Sequence, residues 1–453
     1  MMLLLQRRLI RATFLPAVLL IGLAGCGDEA TVPQLAGYGP NPVLPPPNQT
    51  LIPTLDIAPA KGWPAGTTPI AAPGLAVTSL ADRLDHPRNV FVLPNGDVLV
   101  AETNAPPRPE DSGGIRGFFA HLVMKRAGAA GPSANRITLL RDGGAGPAKT
   151  RSIFLDGLNS PFGMALIGHD FYVADTDAVL RFPYEDGQTK ITAQGSKVTD
   201  LPGGPLNHHW TKNLVASADG RHLYVSIGSN SNAGENGMDK ETGRAAIWDI
   251  DPATGQHRVY ASGLRNPNGL AIEPETGQLW AAVNERDEIG SDLVPDYLTA
   301  VKENGFYGWP YSYFGQHIDP RVTPALPDLV AKAIMPDYAL GAHTASLGLA
   351  FAVPGALPPP FSRGAFIGQH GSWNRRPPSG YAVVFVSFAA GRPSGPPVEV
   401  LSGFLDADGE ALGRPVGVAV DHDGSVLVAD DVGNRVWRIS ASHEARAQKS
   451  AMP

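Results

Sequence analysis

The stretch GRPVGVAVDHDGSVLVADD (413–431) holds two short apolar runs joined by a tight polar turn. A turn element with Pro, Asn or Gly leads into the first run, and Asp423-Gly424 separates it from the second. Glycine accepts the positive φ that a two-residue hairpin demands, so Asp-Gly between apolar runs predicts a β-hairpin. Working outward, five further copies appear: HPRNVFVLPNGDVLVAET (86–103), SPFGMALIGHDFYVADT (160–176), HWTKNLVASADGRHLYVSIGS (209–229), RNPNGLAIEPETGQLWAAVNE (265–285) and ASLGLAFAVPG…GAFIGQH (345–370). Asn95-Gly96 and Asp219-Gly220 repeat the turn signal. After several copies a third run carries an aromatic and a charge: VLRFPY (179–184), AIWDID (246–251), YAVVFVSF (381–388) and RVWRIS (435–440).

Repeats of this length mean a solenoid or a propeller. Strands joined by hairpins without intervening helical periods select the propeller. The expected fold is therefore all-β, a six-bladed β-propeller over residues 75–443. That span allots about 61 residues to each copy, against ~40–50 for a plain blade. The surplus is assigned to loops at 104–135, 231–245, 286–340 and 352–363. Long loops on one face are where sites are built. Residues 444–453 are expected to be a disordered tail.

Composition narrows the function classes. The chain has 453 residues, 43% hydrophobic and 17% charged, an ordinary globular balance. Its net charge of −7 becomes −10 without the first 25 residues, which hold Arg7, Arg8 and Arg11 and no acid. Such a surface offers no footprint for nucleic acid. Cys26 is the single cysteine, so no internal disulfide and no cysteine-rich metal site can form. A basic start, an apolar run from Thr13 to Leu23 and the sequence Leu23-Ala24-Gly25-Cys26 resemble a bacterial lipoprotein signal. The resemblance implies cleavage before Cys26, diacylation of its sulfur, and an exported, periplasmic protein held on a membrane. Residues 26–74 follow, with eleven prolines between 27 and 74 and no sustained apolar period. They are expected to form a semi-extended tether.

The chemistry gathers where the copies begin and end. Arg265-Asn266-Pro267-Asn268 opens the fourth copy. Arginine is always charged and presents a rigid fork of donors, suited to a ligand with carboxylates or quinone oxygens. The alternative role for Arg265 is a salt bridge that fixes the blade. Asn207-His208-His209-Trp210 opens the third copy, and histidine is the side chain best poised to take a hydroxyl proton near neutral pH. Asn284 to Asp292 is acidic and rich in oxygen ligands of the kind a hard cation chooses.

Gly263-Leu264-Arg265-Asn266-Pro267-Asn268-Gly269-Leu270, with Tyr307-Gly308-Trp309-Pro310 downstream, resembles the soluble PQQ-dependent glucose dehydrogenases and, more closely, the L-sorbosone dehydrogenases. The resemblance covers roughly residues 75–440. It implies a quinoprotein that oxidises a sugar or sugar aldehyde by hydride transfer to PQQ, aided by Ca²⁺. It assigns the base to His209, with His208 where the glucose enzymes carry an aspartate. It assigns cofactor contacts to Arg265, which also serves catalysis, and to Asn266, Asn268, Arg375 (with Arg376 as the alternative) and Arg414. It places Ca²⁺ on the backbone carbonyls of Arg286 and Asp287. His343 is a further candidate for the mouth. Two departures stand out: Val416 occupies the position of a second arginine, and Ser229 that of an acid near the base, leaving Glu235 and Asp239 as candidates to orient it. With no Cys-x-x-Cys-His haem motif, electrons must pass to an external acceptor, a quinone or cytochrome.

Two other classes share the architecture: a metal-dependent lactone hydrolase like the gluconolactonases, and a non-catalytic binding propeller of the NHL type. The first needs acid or amide ligands converging on the channel without an arginine cluster. The second has short, uniform loops.

Overall fold

A computed structural model describes residues 27–50, 54–107, 125–129, 131–141 and 146–450. The six copies form six antiparallel sheets. Blade 1 is Pro87–Val92, Val98–Glu102, Arg136–Arg141 and Thr150–Leu155. Blade 2 is Gly163–Ile167, Asp170–Ala174, Ala178–Pro183 and Ser196–Asp200. Blade 3 is Leu214–Ala216, Leu223–Ile227, Ala246–Ile250 and His257–Ser262. Blade 4 is Asn266–Ile272, Leu279–Asn284, Pro295–Ala300 and Tyr338–Ala342. Blade 5 is Ser346–Phe351, Gly364–Gln369, Ala382–Ala389 and Arg392–Ser402. Blade 6 is Pro415–Val420, Val426–Asp430 and Arg435–Ala441, completed by Leu75–Ala81. Leu75–Ala81 pairs antiparallel with Arg435–Ala441, so the two ends of the repeat region lock into one sheet. The expected six-bladed, all-β propeller is the observed fold.

The ring closes through a repeated contact at the axis. Gly163, Gly348 and Gly417 each occupy the same place in a first strand. A Cβ there would strike the next blade's backbone: Lys212 O at 2.6 Å from Gly163, Arg88 O at 2.8 Å from Gly417, and Val416 O closer still to Gly348. Blades 1 and 3 carry asparagine at this position instead. Asn89 donates across to Phe162 O (2.9 Å) and Asn213 to Asn268 O (2.8 Å), while each caps the next N–H of its own strand. The innermost strands thus meet backbone to backbone around a central channel of about 460 Å³.

Between blades the core is apolar and shared. Leu99, Leu139 and Phe154 of blade 1 interlock with Phe171, Val173 and Phe182 of blade 2, with Phe154 edge-on to Phe171 at 5.6 Å. Fully burying each such side chain is worth about 1.5–3 kcal/mol.

Two expectations are revised. The proline-rich segment is no loose tether. Tyr38–Gly39 adds a strand to blade 4 and Ile70–Ala71 one to blade 5. Trp63 packs edge-on against Phe404 and Trp437, and its indole donates to Asp430 at 2.6 Å. Among the described residues the segment forms only a 3₁₀ turn at Gln34–Gly37 and a few local bonds of its own, and the propeller supplies the strand partners. The tail expected to be disordered begins with a short helix, His443–Ser450. Cys26 and the signal sequence lie outside the described residues.

Candidate active site

Each first strand starts, and each second strand ends, on the same face, opposite the hairpin turns Asn95-Gly96, Asp219-Gly220 and Asp423-Gly424. The residues that open and close the copies are therefore brought together at one mouth.

On blade 3, His209 Nδ1 lies 2.7 Å from the backbone oxygen of Ser229 and 3.2 Å from its hydroxyl. A carbonyl only accepts, so Nδ1 carries the hydrogen and Nε2 keeps its lone pair. Burial, and then the Arg265 guanidinium, hold this histidine well below the usual imidazole range. Gly228 lets the strand pass between His209 and Asn266: a Cβ would sit 2.6 Å from Asn266 Oδ1 and collide with His209 Cβ. The His209 imidazole is thus oriented by a backbone carbonyl. Neither acid proposed for the task performs it, since Glu235 caps the N–H groups of Asn232 and Ala233 and Asp239 pairs with Lys240. Below the loop, the fully buried Lys212 donates to the carbonyls of His209 and Trp210 (3.2 Å each) and to Asn207.

On blade 4, Arg265 is buried and spends its donors on Glu285 O (2.7 Å), Asn232 and the Asp287 carboxylate (3.1 Å). Asp287 is a hub: Asn374 donates to it at 2.9 Å and His343 Nδ1 lies 3.4 Å away. Burial opposes its charge, but Arg265 and His343 outweigh that and keep the carboxyl below its ordinary value. Burial likewise depresses His343, yet Asp287 and the Gly290 carbonyl (2.9 Å from Nε2) leave it raised. Asn266 and Asn268 are buried beside these groups, and Asn268 donates to Thr211 at 2.6 Å.

On blade 5, Arg375 turns inward, bonded to Pro377 O and near Asp292, whereas Arg376 turns out toward Asp56. On blade 6, Arg414 lies over the Tyr381 ring at 5.2 Å and donates to Ala58 O. Val416 is buried and offers no donor from its side chain. A cluster missed in the sequence stands nearby. Asp431 accepts from Arg88 (2.6 Å) and faces His370 (2.9 Å) and, at 3.6 Å, His86. Burial pushes His370 down to about 4. Arg88 follows Pro87 as Asn268 follows Pro267; that shared place in the repeat was the available signal.

The donor set suits an anionic ligand. Among the described residues, Arg88, Arg375 and Arg414 each hold a buried Nε without a hydrogen-bond partner, as do the amide oxygens of Asn268 and Asn374. Unmet buried polar atoms are costly, and a tricarboxylate quinone such as PQQ supplies acceptors for the guanidinium groups. The expected Ca²⁺ site fits less well. The Arg286 side chain is fully buried and bonded to Glu285, Asp319 and the Pro310 and Ser312 carbonyls, none of which engages its own carbonyl. The Asp287 carbonyl already accepts from Arg321 (2.8 Å) and Asn232 (3.0 Å), which fills both lone pairs. Ligation of Ca²⁺ by that carbonyl is therefore not supported by this arrangement.

A family model described as TrAA12-like matches residues 129–304 and 330–442. A protein of Borreliella burgdorferi with no assigned function is 29% identical over 248 residues, 53% of this chain and 62% of its own. The pyrroloquinoline quinone-dependent pyranose dehydrogenase of Coprinopsis cinerea is 25% identical over 334 residues, 60% of this chain and 44% of the relative. The chain thus spans only about half the length of the curated relatives it matches. Among solved structures, the Trichoderma reesei carbohydrate-active enzyme of family AA12 superposes with a TM-score of 0.67 at 19% identity, covering 86% of this chain and 99% of that one. The holo PQQ domain of the Coprinopsis cinerea enzyme gives 0.67 at 18%, covering 85% and 100%. These likenesses carry the fold, and the family model, spanning well over half of the sequence, makes this chain a member of the TrAA12-like family.

Proposed function

We propose that the protein is a PQQ-dependent sugar dehydrogenase. The observation that carries this reading is the set of buried arginines with unpaired Nε atoms at the blade entries, together with a histidine at another blade entry whose Nε2 is left as an acceptor. Arg375 and Arg414, with Arg88 beside them, would hold the carboxylates, and Arg265 would lie against the quinone oxygens. When bound, PQQ supplies the hydride acceptor. His209 Nε2 takes the hydroxyl proton as the C–H electrons leave, so that the sugar carbinol becomes a carbonyl. Asn266 and Asn268 orient the ring or a sugar hydroxyl. Burial, and then the Arg265 charge, keep His209 neutral and ready to accept.

The Coprinopsis cinerea relative named for pyranose supports the substrate class; oxidation of a sorbosone-like aldehyde is the finer version. The acids at the mouth, Asp287 and Asp431, are already bound by cationic partners, which counts against a lactone hydrolase built around a metal. We further propose export and lipidation at Cys26, from the lipobox sequence, with electrons passing to an external quinone or cytochrome. Titrating the protein with PQQ, then assaying a sugar panel with an artificial acceptor, tests the proposal. Saturable PQQ binding with sugar-dependent reduction is expected; absence of PQQ binding would overturn it.

A further inference from the structure

The segment after the lipobox does not lead away from the mouth; it is bound along its rim. Gly27 packs against Thr54. Asp28 accepts from the Ser291 N–H (2.7 Å), and Ser291 Oγ donates to its carbonyl. Thr31 and Val32 donate to Asp292, Ala30 to the Arg376 carbonyl and Asn48 to that of Ile289. Further on, Asp56 donates to the Trp373 carbonyl and Ala58 accepts from Arg414. Loop 288–292 follows directly on Asp287, and Trp373 to Arg376 and Arg414 belong to the same rim.

The strap also carries exposed apolar side chains. Leu35 is 69% exposed, Val43 and Leu55 54% each, and Trp373, held by the strap, 37%. The Val43 N–H donates to the Ala36 carbonyl, which keeps Val43 beside Leu35. Leu55 adjoins Asp56, which is bonded to Trp373.

We propose that this rim, strap included, docks on a lipid bilayer, so that the active-site mouth faces the membrane. The inference rests on the reading of Cys26 as the lipidated residue. That residue adjoins Gly27, and successive Cα atoms are about 3.8 Å apart. An anchor on a long flexible tether would leave the propeller free to tumble. Here the tether is spent on hydrogen bonds to loops 288–292 and 373–376, so acyl chains beginning at residue 26 bring those loops to the headgroups. Two acyl chains hold a protein stably on a membrane, and the apolar fringe adds area to the same face. The occupant is a lipid surface rather than a protein because the chain itself delivers it there.

The test uses the full, exported protein in phosphatidylethanolamine–phosphatidylglycerol vesicles containing a brominated lipid. Acylation consumes the Cys26 sulfur, so an introduced cysteine is the one site for a fluorophore. Leu35→Cys probes the rim. Val353→Cys, 46% exposed and beside the hairpin turn at Gly424, probes the opposite face. Both variants are first shown to bind PQQ like the wild type, with Val43→Cys replacing Leu35→Cys if the latter does not. The rim probe is expected to be quenched several-fold more strongly. Equal quenching, or stronger quenching at Val353, overturns the docking and leaves the anchor intact. An intact mass without acyl groups on Cys26 overturns the anchor and the docking together.

Discussion

The backbone carbonyl of Ser229 lies 2.7 Å from Nδ1 of His209 and decides which ring nitrogen carries the proton. In many catalytic sites a carboxylate does this work; here a strand end does, in a position that no side-chain change removes. Ser229→Ala should therefore leave kcat nearly unchanged, since the carbonyl stays and what is lost is the hydroxyl's 3.2 Å contact to the imidazole and its 2.6 Å bond to the Ser231 carbonyl. A large loss in steady-state turnover would show that the hydroxyl orients the base.

Replacing His209 by Ala should lower kcat by on the order of 10²–10⁴, the usual worth of a general base, with PQQ affinity unchanged. The neutral form is the active one, and the folded value is displaced well below 6.5. Hence kcat/KM should fall only at pH values well under that of a free imidazole and stay level above. His208→Ala is the paired control: if it is the crippled variant, the base is the neighbouring residue.

Arg265→Ala removes a charge-assisted donor and should weaken PQQ binding by about 1.5–3 kcal/mol. It also strips Asp287 of its closest cationic partner. Fluorescence titration of the folded variant with PQQ measures the loss, and an unchanged affinity would remove Arg265 from the cofactor site.

The Asp287–His343 pair predicts a pH signature in stability. His343 is raised in the fold, so its contribution is complete below its unfolded value of 6.5 and fades as pH rises through the folded one. Asp287 is lowered, so its share is present above about 3.9 and is lost on acidification through its folded value. Asp287→Asn should cost about 1–3 kcal/mol by leaving buried donors without a charge. It should also flatten the decline in melting temperature above pH 6.5; an unaltered profile would count against the pairing.

Because Arg321 and Asn232 occupy the Asp287 carbonyl, chelation should leave PQQ affinity unchanged. Titrations with and without a strong chelator check this. A marked loss on chelation, restored by Ca²⁺, would mean that the loop rearranges to admit a cation.

Gly348→Ala should destabilise the ring by about 1–3 kcal/mol, the usual cost of overpacking, because its Cβ meets the Val416 carbonyl. Denaturant unfolding measures it; Gly146→Ala, whose Cβ meets nothing and whose backbone is not left-handed, is the control without the steric clash.

Alternating apolar runs, the glycine turns at 96, 220 and 424 and the repeat itself determined six blades, because hairpins are built from neighbours in sequence and their cost is met locally. The blade entries were legible for the same reason: His209 and Arg265 fall at one place in the repeat and Arg414 one residue further along, and repetition puts the blade entries on one face. Arg375 over Arg376 needed the third dimension, since adjacent residues on an extended chain point apart. What only the tertiary structure decided is whatever joins distant residues. Leu75–Ala81 closes blade 6 against a strand more than 350 positions away. Arg88 and Asp431 meet across 343 residues. The proline-rich segment is ordered by partners on blades 4 to 6 that it cannot supply itself. The Asp287 carbonyl is filled by Arg321, a donor that arrives from the long insertion of blade 4. Local propensity carries no record of such contacts; they exist once the ring has closed and the long loops have been held against one another.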